Sequence, residues 1–180
     1  MEDEILERDE ILERLHRIYN EVTEIYGKEN CYLTGSMAVY LLGKQLGIDV
    51  SGVNPNDVDI IVDTAELLPN PNKDEPRQRT MTYNKGTINE YDLIKIYTKN
   101  KGIYHIKVKS TLGDETLDIN VQTPKKIKDE YMEQKEDKTD ESKVLKNIEI
   151  LTQIIRSNKF EEIPPKHHRR KIGGGKKLKF

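Results

Sequence analysis

The fold of this chain is decided by Tyr32-Leu33-Thr34-Gly35-Ser36 and, further along, by Asp57-Val58-Asp59-Ile60-Ile61-Val62-Asp63. In the second run Val58, Ile60 and Val62 recur at every second position, which is the period of a β-strand. Residues two apart on a strand share a face and lie about 6.5–7 Å apart. The carboxylates of Asp57 and Asp59 can therefore lean toward one point. Two such acids are costly to hold together without a cation, and Mg²⁺ prefers oxygen ligands, so the run predicts a strand that carries a magnesium site.

The first run predicts a binding site for a phosphate group. Residues 30–34 are predicted as a short strand, Gly35 and Ser36 as a turn, and residues 37–42 as the start of a helix. The free backbone N–H groups and the positive end of a helix dipole attract an anion at such a point. Gly35 permits close approach of the backbone, and Ser36 can cap the helix or donate its hydroxyl to a phosphate oxygen.

Both runs also have simpler interpretations. An Asp-x-Asp triplet at a strand end is often a solvated strand edge. A Gly-Ser pair before a helix is often only a helix cap. The order of the elements is what favours a functional site, because a phosphate-binding turn is followed by a pair of acids on the next strand.

A third run completes a pattern that resembles the DNA polymerase beta-type nucleotidyltransferase superfamily. Members of that superfamily carry a Gly-Ser turn, an acid–apolar–acid triplet and a third acid on a later strand. Here the third acid is supplied by Thr116-Leu117-Asp118-Ile119-Asn120-Val121. The resemblance covers roughly residues 30–122 and implies an α/β (α+β) fold, in which helices pack on a nucleotidyltransferase-like mixed β-sheet.

The resemblance implies transfer of a nucleoside monophosphate from a nucleoside triphosphate (NTP) such as ATP to an acceptor, with release of pyrophosphate. Asp57 and Asp59 would hold two Mg²⁺ ions, with Mn²⁺ as the alternative metal. Asp118, on an adjacent strand, would complete the acceptor-side metal and help to deprotonate the acceptor, with Asp114 or Glu115 in reserve. Gly35 and Ser36 would bind the triphosphate.

The chain departs from the superfamily pattern just before the first acid, and two other functions are compatible with the sequence. Many members have a basic residue and a Ser or Thr just before the first acid, whereas this chain has Asn54-Pro55-Asn56. The acceptor contact at that position is therefore in question. The rivals are a catalytically inactive protein of the same fold that binds nucleic acid or another partner, and an enzyme that modifies a protein or tRNA.

Length and composition predict one domain over residues 1–163 with a tail over residues 164–180. No apolar window is long enough for a transmembrane helix, and the acidic N-terminus is unlike a signal peptide. The single cysteine, Cys31, fits a reducing compartment and is predicted to pack in the core. These features predict an intracellular protein, cytoplasmic or nuclear, with no membrane partner.

The tail differs in charge from the rest of the chain. It contains seven cationic residues and no acid: Lys166, Arg169, Arg170, Lys171, Lys176, Lys177 and Lys179. Because the whole chain has a net charge of −2 and the tail contributes +7, residues 1–165 carry −9. Basic clusters of this kind serve as nucleic-acid anchors or nuclear targeting signals, and the tail is predicted to be disordered when alone.

The remaining pattern predicts a first helix over residues 2–26 that stops at Gly27, and strands over 79–83, 93–98 and 103–110. The last two strands are predicted to form a hairpin through residues 99–102. His105, Lys107 and Lys109 are predicted on its polar face. Helices are predicted from Pro124 to about residue 136 and over about 141–157.

Overall fold

A computed structural model describes residues 9–55, 57–63, 77–82, 93–99, 103–136 and 141–165. Four helices and six strands lie in these ranges. The helices are α1 (Glu10–Tyr26), α2 (Gly35–Gln45), α3 (Pro124–Glu136) and α4 (Glu141–Ser157). The strands are β1 (Cys31–Thr34), β2 (Asp57–Asp63), β3 (Arg77–Thr82), β4 (Leu93–Lys99), β5 (His105–Leu112) and β6 (Glu115–Gln122).

The six strands form one mixed sheet in the order β3-β4-β2-β1-β6-β5. Strand β1 lies in the interior of the sheet, antiparallel to β2 and parallel to β6. Helices and a mixed sheet in one chain confirm the predicted α+β class.

The prediction that residues 93–98 and 103–110 form a hairpin is wrong; these residues lie in β4 and β5. β4 pairs in parallel with β2, whereas β5 pairs antiparallel with β6 at the other side of the sheet. The hairpin in this region is formed by β5 and β6 through the turn at Gly113, where φ is 61°. A glycine adopts that left-handed conformation without steric cost, so Gly113 was the stronger turn signal.

The main core joins one face of the sheet to the helices. Leu33 of β1, Ile60 of β2 and Ile119 of β6 are fully buried in it, together with Leu15 of α1 and Leu151 of α4. Alternate residues of the same strands point to the opposite face, as the two-residue period of a strand requires. The polar positions of β1, β2 and β6 therefore share one face, and the candidate site lies there.

Helix α1 begins with a capping residue that also binds a second helix. The Asp9 carboxylate accepts a hydrogen bond from the Leu12 N–H at 3.1 Å and from the Tyr40 hydroxyl at 3.1 Å. It also forms an ion pair with Lys44 at 3.0 Å. The helix ends before Gly27, where φ is 96°, as predicted. Its predicted start at residue 2 is wrong, because Asp9 has an extended backbone and caps a helix that begins at Glu10.

These contacts of Asp9 predict how stability depends on pH. Burial alone would raise the pKa of Asp9, but the Leu12 N–H, Lys44 and Tyr40 outweigh it, and the pKa lies below its ordinary value. The folded state therefore gains stability once the pH exceeds the pKa of an unfolded Asp, about 3.9, and loses it as the pH falls through the lower folded value. In Asp9→Asn, we expect the free energy of unfolding to lack the part that the parent loses when Asp9 is protonated at acid pH. Equal pH profiles for the variant and the parent would contradict the assignment.

Candidate active site

Asp57 and Asp59 lie in the first half of β2, on the sheet face opposite the main core. Both side chains are half-buried, and the intervening Val58 is fully buried on the core side. Asp59 is the register partner of Thr34, the last residue of β1. The predicted strand over residues 57–63 is therefore confirmed, and Asp57 and Asp59 share its polar face beside the end of β1.

Gly35 brings the N-terminus of α2 into contact with Asp59. The residue is the first of α2 and has φ of 74°. A Cβ atom placed on it would overlap Oδ2 of Asp59. A side chain at this position would thus displace either the helix start or the carboxylate. The helix begins at Gly35 rather than at Met37, so Gly35 and Ser36 form its first turn and contribute two of its free N–H groups.

A row of buried polar side chains continues from Asp59 across the sheet. The Thr34 hydroxyl donates to Oε1 of Gln122, the last residue of β6, at 2.6 Å. The Gln122 amide nitrogen in turn donates to Oε2 of Glu130 on α3 at 3.5 Å. Thr34 and Gln122 are 5% and 2% exposed, so the bond between them forms away from water. The row links β2, β1, β6 and α3 at one end of the sheet.

Tyr131 lies within the electrostatic influence of the acids at this end of the sheet. Burial raises the pKa of Tyr131, and the negative charges of Asp59, Asp57 and Glu130 raise it further. A hydrogen bond with Asn147 of α4 lowers it in part. Asn147 is 2% exposed, and its Oδ1 accepts no hydrogen bond within the described part of the chain. Tyr131 thus remains a neutral phenol within the electrostatic reach of Asp57 and Asp59.

Asp118 does not join Asp57 and Asp59, and the prediction that it lies on an adjacent strand beside them is wrong. Strand β1 separates β2 from β6. Leu33 pairs with Val121, so the β6 residue level with Thr34 and Asp59 is Gln122. Asp118 lies four residues earlier, about 13 Å along the strand. Its carboxylate is 61% exposed and pairs with Lys109 at 3.2 Å.

Asp114 and Glu115, the alternative candidates for the third acid, lie further along the chain from Gln122 than Asp118 does and are more distant from the acid pair. Asp114 is exposed in the turn between β5 and β6. Glu115 begins β6, and its Oε1 lies 3.2 Å from Nδ1 of His16 on α1. The third-acid assignment failed because the sequence pattern of β6 shows which residues share a face but not the register against β1.

His16 was missed by sequence reasoning and forms a polar contact between α1 and the β5–β6 hairpin. Its Nε2 lies 2.7 Å from the Ser110 hydroxyl, while Nδ1 faces Glu115. The order Ser–His–Glu resembles a hydrolase triad, but Ser110 is 0% exposed, and no substrate could reach its hydroxyl without unpacking α1. The cluster therefore ties α1 to the hairpin. A lone His in an amphipathic helix carries no sequence signal for this role.

The three residues predicted on the polar face of β5 differ in their exposure to solvent. Lys107 and Lys109 are exposed, as predicted, but β6 and β1 separate them from β2. His105 is buried instead, and its ring lies 4.9 Å from that of Tyr32. His105 also exchanges backbone hydrogen bonds with Ile163. Neither lysine is placed where it would neutralise a phosphate at the acid pair.

A Mg²⁺ at this end of the sheet would take protein ligands from Asp57 and Asp59 and its remaining ligands from a bound molecule or water. Across the described ranges, no group of three or more His, Cys, Asp or Glu side chains is arranged to hold a metal ion. Mg²⁺ is commonly held by one or two carboxylates together with substrate phosphates. The contact between the Gly35 turn and Asp59 places a free helix N-terminus next to a carboxylate, which suits a metal–phosphate ligand.

The Gly35 contact can be tested by comparison with a second glycine. Gly35→Ala forces a side chain into a left-handed backbone and against Asp59, whereas Gly47→Ala meets only the backbone cost, since φ at Gly47 is 75° and no atom lies within 4 Å of its Cβ position. We expect Gly47→Ala to lower the free energy of unfolding by about 1 kcal/mol, and Gly35→Ala by clearly more. Chemical denaturation measures both. Equal losses of unfolding free energy in the two variants would mean that the Asp59 side chain can move aside without an energetic penalty.

Comparison of the chain with protein family models, with curated proteins and with solved structures found no match. Of the helices within the described ranges, none combines the length and the apolar character needed to cross a bilayer. Residues 166–180, which contain all seven cationic residues of the tail, lie outside the described residues.

Proposed function

We propose that this chain is a metal-dependent nucleotidyltransferase, which moves a nucleoside monophosphate from an NTP to an acceptor. The observation that supports the proposal is the contact of Asp59 with the Gly35 turn at the start of α2, with Asp57 two residues away on the same face. A free helix N-terminus and a pair of carboxylates attract opposite charges. A metal–triphosphate carries both charges and satisfies both groups at once.

In this proposal each part of the site has one task. The N–H groups of the first turn of α2 bind phosphate oxygens, and the Ser36 hydroxyl donates to the same group. Asp57 and Asp59 hold Mg²⁺, which when bound neutralises the charge that develops on the transferred phosphoryl group. Asp118 has no role, because its register places it away from the pair.

The test is incubation with each labelled NTP and Mg²⁺, in the presence of DNA, RNA, tRNA or protein acceptors. We expect label on one acceptor class and release of pyrophosphate, both of which require the metal. EDTA should abolish both signals. Failure to bind any Mg–NTP in equilibrium titrations would contradict the proposal.

A second candidate is a protein of this fold that binds a nucleotide without transferring it. It is favoured by the register of β6, which leaves Asp57 and Asp59 without the third carboxylate expected for a two-metal site. This candidate predicts the same Mg–NTP affinity but no pyrophosphate release with any acceptor. The incubation described above therefore separates the two candidates.

The basic tail is proposed as an anchor for nucleic acid, because residues 1–165 carry −9 and the tail carries +7. We expect deletion of residues 166–180 to weaken binding to duplex DNA and to flatten its salt dependence, since each phosphate contact contributes about −0.9 to the slope of log K against log salt. Fluorescence anisotropy at several salt concentrations measures this. Unchanged binding at low and high salt would favour a targeting signal instead.

A further inference from the structure

Thr34 stands at the capping position of α2 but does not cap the helix. Threonine at this position usually accepts a hydrogen bond from an N–H of the first turn. Here the side chain makes no such bond. Its hydroxyl donates to Gln122 at 2.6 Å instead, across the β1–β6 interface. The first turn of α2 therefore keeps N–H groups that the adjacent side chain could have bound.

Glu130 determines which way the Gln122 amide faces. A carboxylate accepts hydrogen bonds only, so the amide must turn its nitrogen toward Glu130, where the distance is 3.5 Å. The amide oxygen then faces Thr34 and accepts its hydroxyl proton. With the opposite orientation, the amide would place its oxygen against a carboxylate. The bond to Gln122 thus holds the Thr34 hydroxyl oxygen at a position from which it accepts no hydrogen bond from the first turn of α2.

We propose that Gln122 is a positioning residue for phosphate binding: it holds the Thr34 hydroxyl away from the start of α2 and so leaves the first-turn N–H groups to a phosphate of the ligand. This inference rests on the proposed function, because the phosphate is that of the Mg–NTP. Without the Gln122 acceptor, the Thr34 hydroxyl turns to the helix and competes with the phosphate.

The test measures binding of Mg–tripolyphosphate by isothermal titration calorimetry to four proteins: the parent, Gln122→Leu, Thr34→Val and the double variant. Tripolyphosphate isolates the phosphate site from contacts with a base or ribose. We expect Gln122→Leu to bind about five-fold more weakly, the factor that corresponds to a typical capping interaction. Thr34→Val alone should bind within about two-fold of the parent, because it removes a group that does not compete there.

The double variant decides between positioning and packing. If the released hydroxyl is the competitor, removing it with Thr34→Val in the Gln122→Leu background restores the parent affinity. A double variant as weak as Gln122→Leu would show that Gln122 only supports the local structure, and would overturn the inference. Gln122→Met, which also lacks the acceptor, replaces Gln122→Leu if the latter does not fold.

The same titrations separate this inference from the proposed function. A parent that binds neither Mg–tripolyphosphate nor any Mg–NTP overturns both. A parent that binds, combined with a Gln122→Leu variant of equal affinity, overturns only the role of Gln122. Thermal melting of all four proteins in the absence of ligand supplies a second readout, since the newly capped helix of Gln122→Leu should lose stability in the double variant.

Discussion

Asp59→Asn is expected to abolish the proposed nucleotidyl transfer while leaving the protein folded. The substitution removes a charge from the acid pair at the Gly35 turn but keeps the shape of the side chain. Bound metal supplies several kcal/mol of charge stabilisation in such reactions, so the rate should fall at least about a hundred-fold. The unfolding midpoint in EDTA should equal that of the parent or exceed it, because a repulsion between like charges is relieved. Melting well below the parent would show that Asp59 is structural.

The matched control is Asp118→Asn, which carries the same chemical change on the same face of the sheet. Its carboxylate is 61% exposed and engages Lys109, so we expect transfer and metal affinity to stay within about two-fold of the parent. Binding of Mn²⁺, followed by electron paramagnetic resonance, gives a readout that does not depend on the acceptor. If Asp118→Asn lost as much activity as Asp59→Asn, Asp118 would belong to the site, contrary to what the register of β6 indicates.

His16→Ala is expected to destabilise the fold strongly, although His16 lies far from the candidate site. The imidazole is 2% exposed and contacts Ser110 at 2.7 Å and Glu115 at 3.2 Å. Its removal leaves a cavity between α1 and the β5–β6 hairpin, and deprives the buried Ser110 hydroxyl of its partner. The two effects together should lower the free energy of unfolding by about 2–4 kcal/mol.

Glu115→Gln is the control for this contact. The Glu115 side chain is 48% exposed, so weakening its pair with His16 should cost less than about 1 kcal/mol. Urea denaturation of both variants supplies the comparison. If His16→Ala unfolds at the same urea concentration as the parent, the contact between α1 and the hairpin contributes nothing to the fold.

The sequence predicted local elements well because their signals are local. Each of three local signals determines an element without reference to the rest of the chain: the alternation in residues 57–63, Gly27 after the first helix, and Pro124 at the start of the third. Pairing between strands is different. The parallel partner of β1 is β6, and no local pattern indicates that choice. The predicted pairing of β4 with β5 failed for this reason.

The candidate site shows the same division. Gly35, Ser36, Asp57 and Asp59 are neighbours because β1 and β2 are consecutive strands, so the sequence could bring them together. The placement of Asp118 depended on the register of β1 against both β2 and β6. In the observed register, Gln122 lies level with Asp59, and Asp118 lies four residues earlier along β6. Glu130, Tyr131 and Asn147 reach this end of the sheet from helices, whose docking the sequence does not specify.

The pairing of β1 with β6 has a consequence for synthesis of the protein. Thr34 and Gln122 are 88 residues apart in the chain. At typical rates of translation, roughly 4–18 s separate their emergence from the ribosome. During that interval the β1 strand has no partner on one side, and such an edge can pair with other nascent chains. Chains truncated before residue 115 would keep the edge permanently unpaired and are expected to aggregate. Strand β1, which ends beside Asp59, is thus synthesised early and enclosed late.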